Sequence, residues 1–521
     1  MTLKEKILQT FVVTIREINK HGGPEEFFKK YKVGGMYFGL LPDELDDGKP
    51  EMCTSLTRKR LAECRKASQI PLLVCADGVE IDGQEIKVLT SKSIGSSRNM
   101  QDAYNLGKIY GMQMNANDID WLLGPIVDLY CDSSMPLFAM SDDPEVVAAA
   151  NREIIRGVQD QGVCATAKHF PGLGTCNINM HFGHGKNVLP FDEWMETYGY
   201  IYKETFKEDV LSVMTTHTML ESYTKDYENG FAPIATYSTK LTTELLKDKL
   251  GFKGAVVTDA LCMGGCSTGN VIDEAVQAFK AGADLLLWPP VEAADKIEEL
   301  ILSGEIPMSR LDDALERINR MREFRNKALD GKSYDTPDKD VADELSREII
   351  KNGICEYKNE IGLLPLDKNK IKKILLLDAT ENEMVHSTPL IKKALEEEGF
   401  DVDIRDGDIC DMISQVCWQD DIEALQDRYD VVIFNMNMEY ATSWKITYML
   451  VWASQQFDKK KKIIVNYGAP FFAETYFPDD HTIIEVNDGF TYESVAHLVS
   501  DALLGRFKMT GKKVLTGKIK R

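Results

Sequence analysis

Several ionisable side chains stand directly after short apolar runs of the sequence, where the ends of strands are expected. They are Asp77, Asp128, Lys168 with the adjacent His169, His217 and Asp259. Carboxylates, imidazoles and an ammonium group gathered at one end of a sheet would supply nucleophilic and acid–base chemistry. Four of the eight histidines fall between residues 169 and 217, and this clustering also indicates an active site.

Asp259 is the sharpest single case among these residues. It follows the run Gly254-Ala255-Val256-Val257-Thr258, so its carboxylate is expected at the end of a buried strand. Such a carboxylate could act as a nucleophile. It could equally cap the N-terminus of a following helix, because Asp is a preferred residue at that position. The residues alone leave both interpretations open.

The stretch from Lys168 to His181 is rich in glycine and ends in an imidazole, so it is expected to be a sharply bent loop. Three side chains in and after this loop, those of Cys176, His181 and His184, are of types that bind metals. Their spacing fits no usual zinc pattern, and no second cysteine pair completes one. We therefore predict neither a metal nor a cofactor.

These residues need a scaffold, and the apolar runs indicate one. Near-continuous apolar runs are typical of strands that are buried on both faces of a parallel sheet. Amphipathic stretches with capping residues separate the runs; Ser141, for example, is the expected cap of a helix that starts near Pro144. Seven such runs precede Arg325, and they favour a TIM-type (β/α) barrel, whose chemistry lies at the carboxyl ends of its strands. They begin at Gly34, Pro71, Trp121, Val163, Leu211, Ala255 and Ala283.

A polar, breaker-rich segment, residues 330–338, separates this pattern from a second one. The second pattern contains apolar strands with a helix from about Thr388 to Gly399 between the first two. It predicts a smaller doubly wound α/β sandwich. We therefore divide the chain into a barrel over residues 1–328, a linker over 329–342 and a C-terminal α/β sandwich over 343–521. The strands of the second pattern begin at Ile374, Val431, Ile463 and Ile483.

The composition limits the class of partner. The formal net charge is −22, and so acidic a chain is unsuited to nucleic acid or an anionic membrane as its main partner. The first residues are charged and lack the apolar core of a signal peptide, and no apolar run approaches the ~20 residues that span a bilayer. The 11 scattered cysteines indicate reduced thiols. We expect a cytoplasmic protein.

Five segments carry a recognisable pattern when they are taken in order along the chain. Two of them, Lys168-His169-Phe170-Pro171-Gly172 and the segment from Gly251 to Asp259, are the most specific. Together the five segments resemble family 3 glycoside hydrolases. More narrowly, the chain resembles the bacterial β-N-acetylglucosaminidase branch that carries an additional C-terminal α/β domain. The other three are Gly124-Pro125-Ile126-Val127-Asp128, Val213-Met214-Thr215-Thr216-His217 and Gly468-Ala469-Pro470.

The resemblance implies an exo-acting retaining β-glycosidase with a carbohydrate substrate. Asp259 matches the nucleophile, which attacks the anomeric carbon and forms a glycosyl-enzyme. His181 matches the acid/base, which protonates the leaving oxygen and then activates water. The family places substrate-binding residues at the positions of Asp77, Lys168, His169, Asn179 and Met214.

The loop that carries His181 departs from the family pattern. Leu173 replaces a histidine, and Thr175 and Asn179 replace aspartates. An asparagine at position 179 can orient an imidazole, but it cannot stabilise an imidazolium by charge. In a serine protease triad, the corresponding change of Asp to Asn costs about 10⁴ in rate. Two further side chains could therefore serve as the acid/base instead, those of Glu439 and His184.

The departures also leave other functions open. A neutral loop would repel a phosphate acceptor less than an acidic loop does, so the protein could be a glycoside phosphorylase or a transglycosylase. It could also be a sugar-binding homologue that has lost turnover, although the intact Asp259 segment speaks against that function. A homodimer is a further expectation, because the C-terminal domain could reach its own barrel or that of a second copy.

Overall fold

A computed structural model gives the fold of the chain. It describes residues 1–39, 54–78, 89–130, 139–173, 178–330, 339–380, 387–405, 419–437, 454–488 and 493–518. The centre of the predicted linker lies outside these residues, because one helix ends at Leu329 and the next begins at Lys339. The predicted domain boundaries therefore stay predictions.

Eight parallel strands among the described residues close into a barrel. Five of them pair side by side, and in the order of pairing they begin at Leu286, Phe11, Gly35, Leu73 and Trp121. The other three also pair side by side and begin at Thr166, Ser212 and Ala255. Parallel bridges from Trp121 to Cys164 and from Val257 to Leu285 join the two groups. The predicted (β/α) barrel is therefore confirmed. The strands are β1 (Phe11–Val13), β2 (Gly35–Tyr37), β3 (Leu73–Ala76), β4 (Trp121–Leu122), β5 (Thr166–Phe170), β7 (Ser212–Thr215), β9 (Ala255–Thr258) and β10 (Leu286–Leu287).

The barrel strands are apolar because both of their faces are buried. In β9, Ala255 and Val257 belong to the apolar cluster inside the barrel, whereas Val256 belongs to the cluster between the strands and the surrounding helices. Alternate side chains of a strand point to opposite faces, so a strand covered on both sides needs apolar residues at every position. Two short strands, β6 (Gly185–Asn187) and β8 (Thr218–Leu220), pair with each other outside the barrel wall.

Helices cover the outside of the barrel. The helix after β4 runs from Pro144 to Asp160, and its N-cap is Asp143, whose side chain accepts a hydrogen bond from the Glu145 N–H. The prediction that Ser141 caps this helix was wrong; Ser141 instead accepts a hydrogen bond from the Asp143 N–H. The helices are α1 (Leu3–Leu8), α2 (Ile15–Lys20), α3 (Gly23–Lys30), α4 (Thr54–Ala67), α5 (Lys92–Ser97), α6 (Met100–Ala116), α7 (Pro144–Asp160), α8 (Phe191–Glu196), α9 (Tyr198–Phe206), a π-helix (Lys240–Lys249), α10 (Val271–Ala281), α11 (Ala293–Leu302) and α12 (Met308–Leu329).

The C-terminal part of the chain forms a second sheet flanked by helices. In the order of pairing, its six strands begin at Cys355, Thr482, Lys462, Val431, Lys373 and Asp401. Every pairing is parallel except that of the first two strands in this order. The predicted doubly wound sandwich is confirmed. Its elements are α13 (Lys339–Gly353), β11 (Cys355–Asn359), β12 (Lys373–Thr380), α14 (Ser387–Glu397), β13 (Asp401–Arg405), α15 (Gln419–Gln426), β14 (Val431–Asn437), β15 (Lys462–Asn466), α16 (Phe471–Tyr476), β16 (Thr482–Glu485) and α17 (Glu493–Leu503).

Buried polar contacts join the second sheet to the barrel. Lys92 of α5 is fully buried, and its ammonium group donates to the carbonyl oxygen of Gly468, which follows β15. Residues 511–518 then run back over the barrel, where the carboxylate of Asp142 accepts hydrogen bonds from the N–H groups of Thr516 and Gly517. The carboxyl-terminal edge of the second sheet therefore faces the barrel. None of the helices in the described part of the chain is long and apolar enough to cross a membrane.

Candidate active site

Asp259 stands at the carboxyl end of β9, partly buried at that face of the barrel. Its Oδ2 accepts a hydrogen bond of 3.0 Å from the Thr216 hydroxyl, and its Oδ1 accepts one of 2.8 Å from the Ala260 N–H. The chain then makes turns, and the next described helix begins at Val271 with Asn270 as its N-cap. The interpretation of Asp259 as a helix cap was therefore wrong, and its carboxylate is held at the barrel face.

The surroundings of Asp259 favour its ionised form. Burial alone would raise the pKa of the carboxyl group, but His217, His169, the Ala260 N–H and Lys168 together hold it below its usual value of 3.8. Positive groups and hydrogen-bond donors stabilise a carboxylate more than the loss of water destabilises it here. An ionised, oriented carboxylate is what nucleophilic attack requires.

His217 lies fully buried between Asp259 and a neighbouring loop. Its Nδ1 is 2.8 Å from the Thr236 hydroxyl, and its Nε2 is 3.2 Å from the carbonyl oxygen of Ala260. Because a carbonyl oxygen can only accept, the proton of the neutral ring is on Nε2 and the hydroxyl donates to Nδ1. Burial lowers the pKa of His217, so the neutral ring is favoured. This residue supports the turn that carries Asp259.

Asp77 follows β3 and forms an ion pair with Lys168, which lies within β5. The expectation that Lys168 and His169 follow a strand was therefore wrong, because β5 continues to Phe170. The Tyr37 hydroxyl donates to Asp77 at 3.1 Å, and the Tyr37 ring packs edge-on against Trp288 with the ring centroids 5.1 Å apart. A small cavity of about 50 Å³ opens beside this pair, with walls that are otherwise mainly apolar. Charged groups at a partly dry surface make strong hydrogen bonds, so the pair suits the recognition of hydroxyl groups.

His169 is oriented by a buried carboxylate. Asp128 accepts a hydrogen bond of 2.8 Å from Nδ1 of His169 and one of 3.1 Å from its backbone N–H. The other oxygen of Asp128 accepts from the Leu173 N–H at 2.9 Å. Because the Nδ1–H group of His169 donates to this carboxylate, its Nε2 atom is left to interact with a ligand.

Residues 178–185 form a loop, called here the histidine loop, that carries His181 and His184 on its exposed side. The side-chain oxygen of Asn179 accepts hydrogen bonds from the His181 N–H at 3.0 Å and from Nδ1 of the ring at 2.8 Å. The amide therefore orients the ring, as the sequence predicted. With Nδ1 engaged, Nε2 is the nitrogen that can exchange a proton with a ligand.

The remaining predicted residues take different positions. Met214 is 2% exposed and packs with Met180 and Met263 inside the barrel, beneath the polar groups. Cys176 and Glu439 lie outside the described residues, so the alternative acid/base Glu439 stays a prediction. Among the residues that the structure describes, the one group of three metal-binding side chains is Glu17, His21 and Glu292, which excludes both histidines of the histidine loop.

Two residues of the site were missed from the sequence. Thr216 could not be singled out from the sequence, because a threonine beside the end of a strand is common. Its contact with Asp259 also joins two segments that are far apart in sequence. Tyr37 ends an apolar run of the kind used to find the strands, so a search for polar groups at strand ends could have found its hydroxyl.

The comparisons with known proteins identify the family. Residues 2–321 match the sequence model of the glycosyl hydrolase family 3 N-terminal domain, so the chain belongs to glycosyl hydrolase family 3. A β-N-acetylglucosaminidase/β-glucosidase of Cellulomonas fimi is 27% identical over 334 residues. That alignment covers 60% of this chain and 59% of the relative, so the chain spans less than two thirds of the length of this protein.

Solved structures show the same architecture across the whole chain. A β-glucoside phosphorylase, BglX, bound to 2FGlc aligns with a TM-score of 0.82 and 23% identity, covering 99% of this chain and 95% of the other. A family 3 β-N-acetylglucosaminidase from Paenibacillus sp. str. FPU-7 aligns with a TM-score of 0.81 and 22% identity and covers both chains completely, at 100% each. At these identities the likeness shows the fold alone.

Proposed function

We propose that the protein is an exo-acting retaining β-glycosidase that removes a terminal β-linked sugar, a β-N-acetylhexosaminide or a related β-hexoside. The observation that carries this proposal is the carboxylate of Asp259, which is kept ionised and oriented by Thr216 and Ala260 at the carboxyl face of the barrel. The family and the activity of the Cellulomonas fimi relative, a β-N-acetylglucosaminidase/β-glucosidase, support it.

The first step forms a glycosyl-enzyme. One oxygen of Asp259 attacks the anomeric carbon, and the bond from that carbon to the leaving oxygen breaks. The protonated His181 ring gives the proton on its Nε2 to the leaving oxygen, while Asn179 accepts the hydrogen bond from Nδ1 and keeps the ring aligned. The proton therefore leaves with the released alcohol.

The second step releases the sugar. The now neutral His181 takes a proton from water on its Nε2, and the water oxygen attacks the anomeric carbon. The bond to Asp259 breaks, and the carboxylate is restored. Two inversions at the anomeric carbon leave the β configuration unchanged.

The sugar hydroxyls are held by the groups on the other side of the barrel face. The Asp77–Lys168 pair offers both an acceptor and a donor, and His169 offers Nε2 because Asp128 occupies Nδ1. These three side chains point a terminal sugar toward Asp259 and replace the water that its hydroxyls lose.

Hydrolysis of a panel of p-nitrophenyl β-glycosides tests this function. An activated phenol leaves with little protonation, so His181→Ala should keep measurable release of the first product. Asp259→Asn should abolish turnover, because the amide cannot form the glycosyl-enzyme. Matched variants His184→Ala and Glu439→Ala should behave like the wild type, and loss of acid assistance in either would move the acid/base role to that residue. Absence of turnover on every sugar would contradict the proposal and favour a sugar-binding homologue.

Phosphorolysis is the second candidate, and the amide of Asn179 beside His181 favours it. A loop without a carboxylate beside the acid/base repels an anionic acceptor less than an acidic loop does. In that reaction phosphate, instead of water, attacks the anomeric carbon of the glycosyl-enzyme and leaves as a glycosyl phosphate. Product analysis with and without inorganic phosphate separates the two, because only phosphorolysis gives a sugar phosphate.

The cytoplasmic location and the homodimer stay proposals. The described cysteines are all free, which supports a reducing compartment. Cell fractionation of the native source tests the location, and light scattering of the purified protein tests the oligomeric state.

A further inference from the structure

The histidine loop lies directly against the loop that carries Asp259. Residues 259–267, called here the aspartate loop, follow β9. The N–H of Gly264 donates to the carbonyl oxygen of His181 at 2.9 Å, and the N–H of Gly265 donates to that of Met180 at 2.9 Å. Two consecutive peptides of one loop are therefore bound to two consecutive carbonyls of the other.

The close approach depends on the absence of a side chain at both positions. A Cβ atom on Gly264 would lie 2.8 Å from the carbonyl oxygen of His181. A Cβ atom on Gly265 would lie 2.6 Å from the oxygen of Met180 and 2.9 Å from that of Gly183. These are backbone atoms, which cannot turn aside as the end of a side chain can. Any residue other than glycine would therefore push the two loops apart.

The aspartate loop is the more firmly held of the two. The Leu261 N–H donates to the carbonyl oxygen of Leu287 at 3.1 Å, and the Tyr237 hydroxyl donates to that of Cys266 at 2.8 Å. Asp259 itself donates its N–H to the carbonyl oxygen of Thr215 at 2.8 Å. A methyl group added to this loop is therefore expected to displace its neighbour instead of moving Asp259.

The histidine loop is the more exposed of the two. Met180 is buried in the barrel cluster, but His181, Phe182 and His184 are exposed, and Phe182 is 85% exposed. The loop is bound to its surroundings by the two glycine N–H groups and by the Gly185 N–H, which donates to the carbonyl oxygen of His217. The glycine contacts fix the backbone of His181 itself.

We propose that Gly264 and Gly265 are positioning residues that set His181 against Asp259 by binding the backbone of the histidine loop. This inference rests on the proposed glycosidase function, in which His181 gives a proton to the leaving oxygen. The two glycines lie five and six residues after Asp259, so the group that attacks and the group that protonates are held by one short segment. Neither glycine touches the sugar.

The test compares Gly265→Ala and Gly264→Ala with a matched control, Gly183→Ala. The control adds the same methyl group to the histidine loop, where the nearest atom, Cγ2 of Ile178, is 3.4 Å away, the distance of an ordinary contact. Each variant is assayed on 2,4-dinitrophenyl and phenyl β-glycosides of the preferred sugar. Deuterium exchange is measured over residues 178–185 of each variant.

General acid catalysis contributes about 10²–10⁴ in rate, so a misplaced His181 should cost Gly265→Ala about tenfold to hundredfold in kcat/KM on the phenyl glycoside. The same variant should lose less than about threefold on the dinitrophenyl glycoside, whose leaving group needs little protonation. Exchange in the histidine loop should become faster. Gly264→Ala should show the same pattern, and Gly183→Ala should match the wild type.

Equal losses on both glycosides, or a wild-type ratio between them, would overturn the inference while leaving the proposed function intact. Unchanged exchange over residues 178–185 would overturn it as well. A wild-type protein that cleaves neither glycoside would instead overturn the proposed function, and the positioning role would fall with it.

Discussion

Restoring a carboxylate at position 179, by Asn179→Asp, is expected to keep His181 protonated up to a higher pH, so that more of the protein carries the catalytic proton. The side-chain oxygen of Asn179 already lies 2.8 Å from Nδ1 of His181, so the new carboxylate would take an existing geometry. Two opposite charges about 4 Å apart are worth about 1 kcal/mol in water and about 4 kcal/mol at an effective dielectric constant of 20. His181 is exposed, so the lower value applies.

About 1 kcal/mol corresponds to roughly a fivefold shift toward the protonated ring, since 1.36 kcal/mol is worth a factor of ten. We therefore expect Asn179→Asp to raise kcat/KM on a phenyl β-glycoside about fivefold and to extend that activity to higher pH. Activity on the 2,4-dinitrophenyl glycoside should stay unchanged, because its leaving group needs little protonation. Asn326→Asp is the matched control, since it adds the same charge at an exposed position of α12.

A gain that is equal on both glycosides, or that Asn326→Asp reproduces, would refute the reasoning, because neither result depends on protonation by His181. A loss on the phenyl glycoside would refute it too. That result would mean that the neutral amide is the better partner of His181. It would favour phosphate as the acceptor, because an amide repels phosphate less than a carboxylate does.

Three further variants test other parts of the account. Thr216→Val removes the hydroxyl that donates to Asp259 but keeps the shape of the side chain. A hydrogen bond to a charged group is worth about 1.5–3 kcal/mol, so we expect kcat/KM to fall about tenfold to hundredfold. Lys168→Met removes a positive charge that lowers the pKa of Asp259. Because Asp259 must be ionised to attack, the acid limb of the pH–rate profile should move to higher pH. An acid limb that does not move would contradict this. Asp142→Ala removes a buried carboxylate that accepts hydrogen bonds from Thr516 and Gly517. A hydrogen bond to a charged group is worth about 1.5–3 kcal/mol, so the urea midpoint should fall by an equivalent amount and residues 511–518 should become sensitive to protease.

Most strands with both faces buried were predictable. Such strands need apolar residues in sequence, and the runs before Asp77 and Asp259 reported them directly. β1 was missed because its apolar run is only three residues long and stands between Thr10 and Thr14, whereas the runs that contain the other barrel strands are longer. β11 was missed because it is an edge strand whose later residues are partly exposed, so Cys355–Asn359 contains polar residues that hide it.

The helix starts were predicted less accurately, because capping depends on which residue takes the first helical position. Pro144 fills that position in α7, which makes Asp143, and not Ser141, the N-cap. The same limitation applied to Asp259, for which a helix cap and a catalytic carboxylate gave the same local sequence. Only the turns after Asp259 separated the two.

The parts of the site that lie on strand ends were predictable, and the contacts between loops were not. Asp77 and Asp259 directly follow strands of one barrel, so their position at one face followed from the fold. The contact of Gly265 with Met180 joins two loops whose relative position no local pattern encodes. Such contacts depend on the packing of the whole barrel.

Covalent trapping tests the central claim most directly. The protein is incubated with activated 2-fluoro β-glycosides, which form the glycosyl-enzyme quickly and release it slowly, and the labelled peptide is located by mass spectrometry. We expect one sugar attached to Asp259 in the wild type and none in Asp259→Asn. A label on another residue, or none from any sugar while turnover of β-glycosides continues, would contradict it.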